Sequence, residues 1–412
     1  MKFDFWNFRL LYCHGTKPEW KDDPSAEQWY VPGRALCLVR PGKDAIVLPG
    51  GCPEIKEFAE FCRKTLSLSQ DQILWTSGQD YLLDDGIRKE QMPEIRKIVS
   101  AGCWSLAPYC CTEPFAQWSS ELKVPVLGDS STWVKKYADK AILHSHVHSH
   151  KRPEGLPILR GINVPKGWVC DDRRDLEAAF YAMSTDGVER FILKRRFSSA
   201  GEGTIRDVTL LAQLEDHNFD QFGEVVLEEM LPYDGISSIQ FYGQQLLPCP
   251  TDQFLSRVYP SKYAGNIVPS RKSASFQQAL IREAQRILDQ IKPLGLGALD
   301  FLSVNEEPRF IDPNLGRWTG GWIGRAFHFL AAPHKPCYKK WDLDPEKLDI
   351  PSVWEFWSKL QKKGVAFDQT SGTSGVFPMC WLPNMWATLI AIGDTHDEVE
   401  TLEAQAVECL LA

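Results

Sequence analysis

Short apolar runs alternate with amphipathic segments along the first third of the chain. Apolar residues recur at helical spacing over Glu54–Leu66 and Met92–Val99, which predicts two helices. The apolar runs are flanked by Pro and Gly, as strands usually are. We predict strands at Ala35–Val39, Ala45–Leu48 and Gln72–Trp75. This βαβ alternation predicts an open α/β layer that ends near Val124–Asp129.

A second set of elements begins near residue 131. Helical spacing predicts helices at Trp133–Leu143, Asp175–Met183 and Phe276–Ile291. The last of these has Ser275 and Gln278 at the spacing of a capping box. Apolar runs predict strands at Arg190–Lys194 and Glu224–Glu228, and a final strand and helix are expected near the C-terminus. The expected fold class is therefore α/β (α+β).

Composition narrows the class of protein. The 412 residues are 43% apolar and 24% charged, which excludes a disordered or low-complexity chain. No run approaches the roughly 18 apolar residues of a membrane-spanning helix. The net charge of −8, without clustered Lys or Arg, argues against nucleic acid or an anionic membrane as a partner. The N-terminal residues do not resemble a secretory signal, so we expect a cytoplasmic protein.

The commonest catalytic motifs are absent. The sequence has no phosphate loop of the Gly-x-x-x-x-Gly-Lys type, no nucleophile elbow and no His-Glu-x-x-His. Its twelve cysteines are scattered and form no Cys-x-x-Cys, which favours reduced, mostly buried thiols. The commonest nucleotide-binding, hydrolase and zinc-protease signatures are therefore absent.

Acidic and amide side chains converge in a predicted hairpin that ends near Arg317. Its two strands meet at the turn Asn305–Pro308. Asp312 and Asn314 share a face of the second strand, and Asp300 can lie opposite them on the first. Two carboxylates and an amide oxygen are typical ligands of Mg²⁺. A polar hairpin edge with solvated acids is the alternative, and this segment alone does not decide between them.

Further motifs precede the hairpin. They are Asp139-Lys140 followed by Gly161–Pro165, Phe191–Lys194 followed by the Gly-containing loop Ser199–Thr204, and Val226–Leu231. With the hairpin acids, this order resembles the ATP-grasp superfamily, and in particular its carboxylate–amine and peptide ligases with an N-terminal pre-ATP-grasp domain. The resemblance covers roughly residues 120–330.

The resemblance implies a domain organisation. A pre-ATP-grasp Rossmann-like domain at 1–130 would precede an ATP-grasp fold whose two α+β lobes clamp ATP. The first lobe would cover 131–235 and include a lid at about 165–230. The second would cover 236–412, with the metal site and a C-terminal extension.

The resemblance also implies roles for single residues. Mg²⁺ or Mn²⁺ would be held by Asp300, Asp312 and Asn314. ATP would be bound by Lys140, Lys194, Ser199, Gly201, Gly203, Glu228, Glu229, Met230 and Leu231. Lys194 and Arg317 would be catalytic, with Arg317 stabilising the oxyanion of a tetrahedral intermediate and Arg257 or Arg325 as alternatives for that role.

The implied activity is ATP-dependent C–N bond formation through an acyl phosphate. The partners would be ATP, an amino acid or other small acid, and an amine, in natural-product or peptide biosynthesis. An ATP-grasp kinase or acid–thiol ligase is the alternative, and a non-catalytic nucleotide-binding scaffold is the second. The sequence does not reveal the oligomeric state, although a homodimer is the commonest assembly.

One histidine-rich segment does not belong to any of the motifs that resemble ATP-grasp proteins. His144, His146, His148 and His150 alternate with other residues. On a strand they would share a face and could bind zinc or copper. Because no Cys, Asp or Glu is close in sequence, a solvated polar segment is the favoured interpretation.

Overall fold

The structure is a computed structural model of the chain. It describes residues 8–14, 32–50, 53–76, 92–144, 159–197, 203–214, 219, 223–256, 262–343, 351–383 and 386–411. Contacts between residues divide the chain into a first unit and a second unit. The first unit comprises Met1–Ser131, Gly265–Pro269 and Gly316–Ala412, and the second comprises Thr132–Ala264 and Ser270–Leu315. Within the described ranges, no helix is long and apolar enough to span a bilayer.

The regular elements are numbered in chain order. The strands are β1 (Arg9–Cys13), β2 (Ala45–Pro49), β3 (Ile73–Thr76), β4 (Trp104–Pro108), β5 (Gly167–Cys170), β6 (Phe191–Arg195), β7 (Ile205–Val208), β8 (Val225–Glu229), β9 (Gly235–Tyr242), β10 (Gln245–Leu246), β11 (Thr251–Leu255), β12 (Tyr263–Val268), β13 (Leu296–Val304), β14 (Glu307–Leu315), β15 (Cys337–Leu343), β16 (Gly375–Leu382) and β17 (Trp386–Gly393). The α-helices are α1 (Pro53–Thr65), α2 (Met92–Val99), α3 (Glu113–Leu122), α4 (Ser131–Tyr137), α5 (Arg173–Thr185), α6 (Ala274–Ile291), α7 (Gly320–Ala331), α8 (Val353–Lys363) and α9 (His396–Leu411). Short 3₁₀ helices cover Leu36–Leu38, Gln70–Gln72, Lys140–His144 and Leu211–Leu214.

A parallel sheet with the order β3-β2-β1-β4 forms part of the first unit. Strands β2 and β3 and helices α1 and α2 confirm the α/β layer predicted from the sequence. The pattern did not indicate β1 or β4, although both are buried and β1 pairs with β2 and β4. Leu11, Val47, Leu106 and Phe115 belong to the core of this layer.

The strand predicted at Ala35–Val39 is wrong. Leu36–Leu38 form a 3₁₀ helix, in which the amide of Leu38 donates to the carbonyl of Ala35 at 3.0 Å. All five residues are buried, so their continuous apolar run reflects burial on every side. Periodicity alone does not separate a short buried strand from a short buried helix.

A group of antiparallel strands also belongs to the first unit. Gly265–Val268 of β12 pairs with β15, β15 pairs with β17, and β17 pairs with β16. The final helix is α9, as predicted, but two paired strands precede it where the sequence predicted one. Residues of β16 and β17 are almost all buried.

The second unit contains a small antiparallel sheet with the order β5-β8-β6-β7. Helix α5 packs on it through Leu176, Phe180 and Met183. The predicted helix at Asp175–Met183 and the predicted strands of β6 and β8 are therefore confirmed.

The hairpin strands lie in a group of antiparallel strands within the second unit. Its order is β14-β13-β9-β11, with β10 paired to β9, and helix α6 packs against it. Helix α6 was predicted correctly, but the capping box predicted at Ser275 and Gln278 is wrong. Ser273 caps it, with its Oγ accepting from the amide of Phe276 at 3.2 Å, whereas Ser275 lies inside the helix.

The helix predicted at Trp133–Leu143 is interrupted. Helix α4 ends at Tyr137, and the 3₁₀ helix begins at Lys140. Asp139 causes the break, because its carboxylate accepts the amide of Ala141 at 2.8 Å. A short acidic side chain that binds nearby backbone amides favours a new helix start over helix continuation.

Candidate functional site

The hairpin of β13 and β14 fixes the positions of the candidate metal ligands. A two-residue turn joins the strands, and both Asn305 (φ 51°) and Glu306 (φ 63°) have positive φ, as type I′ hairpin turns require. Asp300 pairs with Asp312, and Ala298 pairs with Asn314. Side chains two apart share a face, so Asp300, Asp312 and Asn314 meet on one face of the hairpin. The predicted hairpin is confirmed.

Two amides hold the carboxylate of Asp300. Asn314 Nδ2 donates to Asp300 Oδ2 at 2.7 Å, and Gln253 Nε2 donates to Asp300 Oδ1 at 2.9 Å. Asp300 is 9% exposed. A buried carboxylate needs hydrogen bonds to offset its desolvation, and these two amides supply them.

Asp312 faces a lysine. Lys140 Nζ lies 3.2 Å from Asp312 Oδ1, and the lysine side chain is only 5% exposed. The buried Oδ1 atom accepts no hydrogen bond from the described residues, so its contact is with the ammonium charge of Lys140. This oxygen is suited to a cation.

Lys194 reaches the same strand from the small sheet. Its Nζ lies 2.5 Å from Glu228 Oε2 and 3.5 Å from the carbonyl oxygen of Ile311. Both Lys194 and Glu228 are buried. Lys140 and Lys194, which are far apart in sequence, thus meet at Ile311–Asp312 of β14.

Arg196 supports the segment that carries Lys140. Its guanidinium pairs with the carboxylates of Asp139 and Glu224, with Arg196 Nε 3.1 Å from Asp139 Oδ1. The amide of Lys140 also donates to the carbonyl of Arg196 at 3.2 Å. An ion pair and a backbone hydrogen bond therefore hold the end of β6 close to the start of the 3₁₀ helix Lys140–His144.

The donor set fits a hard divalent cation. Asp300 and Asp312 offer carboxylate oxygens, and Asn314 keeps its amide oxygen because its Nδ2 donates to Asp300. Among the described residues, no group of three or more His, Cys, Asp or Glu side chains could hold a metal ion. A metal at the hairpin would therefore take two carboxylates and one amide oxygen from the protein, with its other ligands from water and phosphate.

The predicted adenine segment begins at the end of β8. The amide of Glu229 donates to the carbonyl of Lys166, and the amide of Met230 donates to the carbonyl of Arg190, both at 2.8 Å. Both amides therefore already donate hydrogen bonds within the protein. A base bound here would have to use other backbone groups of Glu228–Leu231.

Several predicted residues lie outside the described residues. These are Ser199, Gly201, Arg257 and His146–His150. Gly203, in the Gly-containing loop Ser199–Thr204, has φ +62°, a conformation that favours glycine. His144 ends a 3₁₀ helix.

Arg317 belongs to the first unit, as does Arg325 on α7. Arg317 forms a bridge with Cys110, and the next residue, Trp318, donates its amide to the carbonyl of Tyr109 at 2.9 Å. Trp318 and Trp322 are fully buried and pack at 5.9 Å between ring centroids, so both belong to the core. The oxyanion role of Arg317 stays a prediction.

The sequence analysis missed Gln253 and Arg196. Gln253 lies on β11 in Thr251–Leu255, a strand that no motif or hydrophobic pattern had indicated. Arg196 lies two residues beyond the predicted phosphate strand, which ends at Lys194. Neither contact follows from spacing, because each joins residues more than 40 positions apart.

Comparisons with known proteins give matches among solved structures. Neither a protein-family model nor a curated protein matches this chain. Biotin carboxylase from Campylobacter jejuni, in complex with β-γ-ATP, shares 12% identity at a TM-score of 0.60, over 98% of this chain and 91% of that one. N5-carboxyaminoimidazole synthetase from Staphylococcus aureus, complexed with ADP, shares 12% identity at a TM-score of 0.57, over 98% of each chain. N5-carboxyaminoimidazole ribonucleotide synthetase from Thermus thermophilus shares 14% identity at a TM-score of 0.56, over 98% of this chain and 99% of that one.

These similarities concern the fold, since the identities are low. The matched structures are ATP-grasp enzymes, and they combine parallel and antiparallel sheets as this chain does. The similarity extends over nearly the whole length of both chains. The chain therefore has the fold of the ATP-grasp enzymes.

Proposed function

We propose that the chain is an ATP-dependent carboxylate–amine ligase that forms a C–N bond through an acyl phosphate. The observation that carries this proposal is the meeting of Lys140 and Lys194 at Ile311–Asp312, on the strand that also bears Asn314. Two buried ammonium groups beside two carboxylates and an amide oxygen suit a phosphate chain with its divalent cation.

The lysines would bind phosphate oxygens. The Lys140 side chain is 5% exposed and the Lys194 side chain 10% exposed. Charge interactions are stronger in such an environment than in water. Without nucleotide, Asp312 and Glu228 balance these charges. With nucleotide, phosphate oxygens would share the ammonium groups with those acids.

The hairpin would hold Mg²⁺ or Mn²⁺ through Asp300, Asp312 and Asn314. When bound, the metal ion would neutralise charge that develops on the transferred phosphoryl group. The amides of Asn314 and Gln253 keep the Asp300 carboxylate oriented, so this ligand needs little rearrangement.

Two steps account for the reaction. A carboxylate oxygen attacks the γ-phosphorus, the bond to the β-phosphate oxygen breaks, and ADP leaves an acyl phosphate. The amine nitrogen then attacks the carbonyl carbon, phosphate leaves, and the nitrogen loses a proton. We assign the developing oxyanion to Arg317, as in the sequence prediction.

No side-chain nucleophile is required by these steps. Burial raises the pKa of the Cys111 thiol to about 11, so this thiol stays protonated near neutral pH. The cysteines within the described part of the chain form no disulfide.

We propose an amino acid or another small acid as the carboxylate. The names of the matched enzymes, biotin carboxylase and N5-carboxyaminoimidazole ribonucleotide synthetase, refer to carboxylated products. Bicarbonate therefore belongs among the acids to be tried. The amine would be a second small molecule.

The test is ADP and phosphate release by the purified chain with Mg²⁺, ATP and pairs of acids and amines, with mass spectrometry of the product. Lys194→Met should lower the rate about 100-fold, because it removes a buried charge aimed at the phosphates. Lys135→Met, on an exposed position of α4 in the same unit, is the matched control and should leave the rate unchanged.

The alternatives give different results. A kinase would release ADP and keep the phosphate on its product, and an acid–thiol ligase would require a thiol acceptor. A scaffold would bind nucleotide with no ADP release under any substrate pair. Any of these three patterns would contradict the proposed amide ligase.

A further inference from the structure

Gln253 makes a long-range contact that the nucleotide-site motifs do not include. It lies on β11, while its partner Asp300 lies on β13, and β9 runs between them. Neighbouring strands are about 4.8 Å apart, so the two backbones are separated by about 10 Å. Its amide nevertheless ends 2.9 Å from Asp300 Oδ1.

The register of the sheet explains how the Gln253 side chain reaches Asp300 across β9. Thr251 and Asp300 both pair with Ser238 of β9, so these three residues form one row. Gln253 is two residues beyond Thr251 and therefore projects from the same face. Gln253 itself pairs with Ile236 of β9, and its amide reaches Asp300, which pairs with the small, buried Ser238.

The contact restrains the carboxylate of Asp300 from one side. Asn314 Nδ2 restrains the other oxygen at 2.7 Å, so rotation of the carboxylate would break at least one hydrogen bond. The two amides therefore fix the orientation of the Asp300 carboxylate.

We propose that Gln253 is a positioning residue that orients Asp300 as a metal ligand. This inference rests on the proposed function, since it takes the hairpin as the metal site. Partners that orient metal ligands typically contribute 10- to 100-fold to metal affinity. Asparagine at position 253 would be one methylene too short, and methionine would have the length without the N–H donor.

The experiment measures Mn²⁺ binding by electron paramagnetic resonance in the presence of a non-hydrolysable ATP analogue. Gln253→Met should raise the Kd for Mn²⁺ by about 10- to 100-fold. In turnover it should raise the KM for metal while kcat at saturating metal changes less than about threefold. Gln253→Asn, which keeps a polar side chain, should also raise the Kd for Mn²⁺. It replaces Gln253→Met in the test if that variant folds poorly.

Gln285→Met is the matched control. Gln285 also donates its amide to a carboxylate, that of Asp289, at 2.9 Å, and it lies on α6 of the same unit. This variant should leave the Kd for Mn²⁺ unchanged.

Two results would overturn the inference in distinguishable ways. If the parent binds Mn²⁺ and nucleotide, and the Gln253 variants lose thermal stability without a change in the Kd for Mn²⁺, Gln253 is merely structural and the proposed function stands. If the parent binds neither Mn²⁺ nor nucleotide, the proposed function fails together with the inference.

Discussion

Lys140 determines how Asp312 behaves without nucleotide. Two neighbouring acids repel each other, so the sequence alone predicts that neutralising one of them maintains or raises stability. In the structure, however, Asp312 is the counter-charge of a lysine whose side chain is 5% exposed. The loss of this partner removes part of the compensation of a largely buried charge, which changes the expected sign of the stability effect.

Asp312→Asn tests both roles of this residue. We expect kcat/KM to fall at least about 100-fold, or about 3 kcal/mol, because the proposed metal ligand loses its charge. We also expect the nucleotide-free unfolding free energy to fall by about 1–2 kcal/mol, since Lys140 loses its counter-ion and Asp312 is partly solvated. Steady-state kinetics and denaturant unfolding measure the two effects.

Two further variants separate the effect on catalysis from the effect on stability. Asp289→Asn, at an exposed site of α6, should change neither quantity. Adding Lys140→Met to Asp312→Asn should restore much of the lost stability but none of the activity. Normal turnover by Asp312→Asn would contradict the metal assignment, and a higher melting temperature would contradict the stabilising role of the ion pair.

At the scale of elements, the hairpin of β13 and β14 depends on close backbone approach at Gly297. A Cβ added there would lie 2.9 Å from the carbonyl oxygen of Asn314 and 2.5 Å from the ring of Phe241. Glycine in a strand often marks a place where another backbone comes near. Gly297 thus couples the packing of β13 to the position of a candidate metal ligand.

Gly297→Ala should therefore disturb both stability and the site. Overpacking typically costs 1–3 kcal/mol, and we expect about 2 kcal/mol in the free energy of unfolding. Because Asn314 must shift, the KM for metal should also rise. Denaturant unfolding and metal-dependent kinetics are the measurements.

Gly102→Ala provides the comparison for this variant. Its Cβ would meet only side-chain atoms, the nearest being Arg9 Nη1 at 3.4 Å, and a flexible side chain can move away. It should change stability by less than about 0.5 kcal/mol. Equal stability of Gly297→Ala and the parent would show that the hairpin has room at this position.

At the scale of the whole molecule, the candidate nucleotide residues are concentrated in the second unit. Lys140, Lys194, Glu228, Asp300 and Asp312 all belong to it. A ligand that binds only the native state stabilises the region it contacts. The effect of Mg·ATP should therefore be local.

Hydrogen exchange with and without Mg·ATP tests this distribution. We expect added protection in peptides of β6, β8, β13 and β14, because their residues would contact phosphates and metal. Peptides of β2 and β3 in the parallel sheet should change little. Protection centred on β2 and β3 would contradict the placement of the nucleotide.

Local patterns in the sequence were sufficient to predict the hairpin of β13 and β14 and helix α6. Alternation along β13 and β14 and the turn at Asn305 placed Asp300, Asp312 and Asn314 on one face, because strand period and turn chemistry are local properties. The helical spacing of Phe276–Ile291 likewise identified α6, although its cap is Ser273. Order along the chain was enough to suggest the ATP-grasp fold.

Only the tertiary structure decided which distant residues meet. The contacts of Lys140 with Asp312, Lys194 with Ile311, and Gln253 with Asp300 join separate elements. Such contacts depend on strand order and register, which no local pattern contains. The same reason explains the error at Ala35–Val39, where burial on all sides removed the periodicity that distinguishes a strand from a helix.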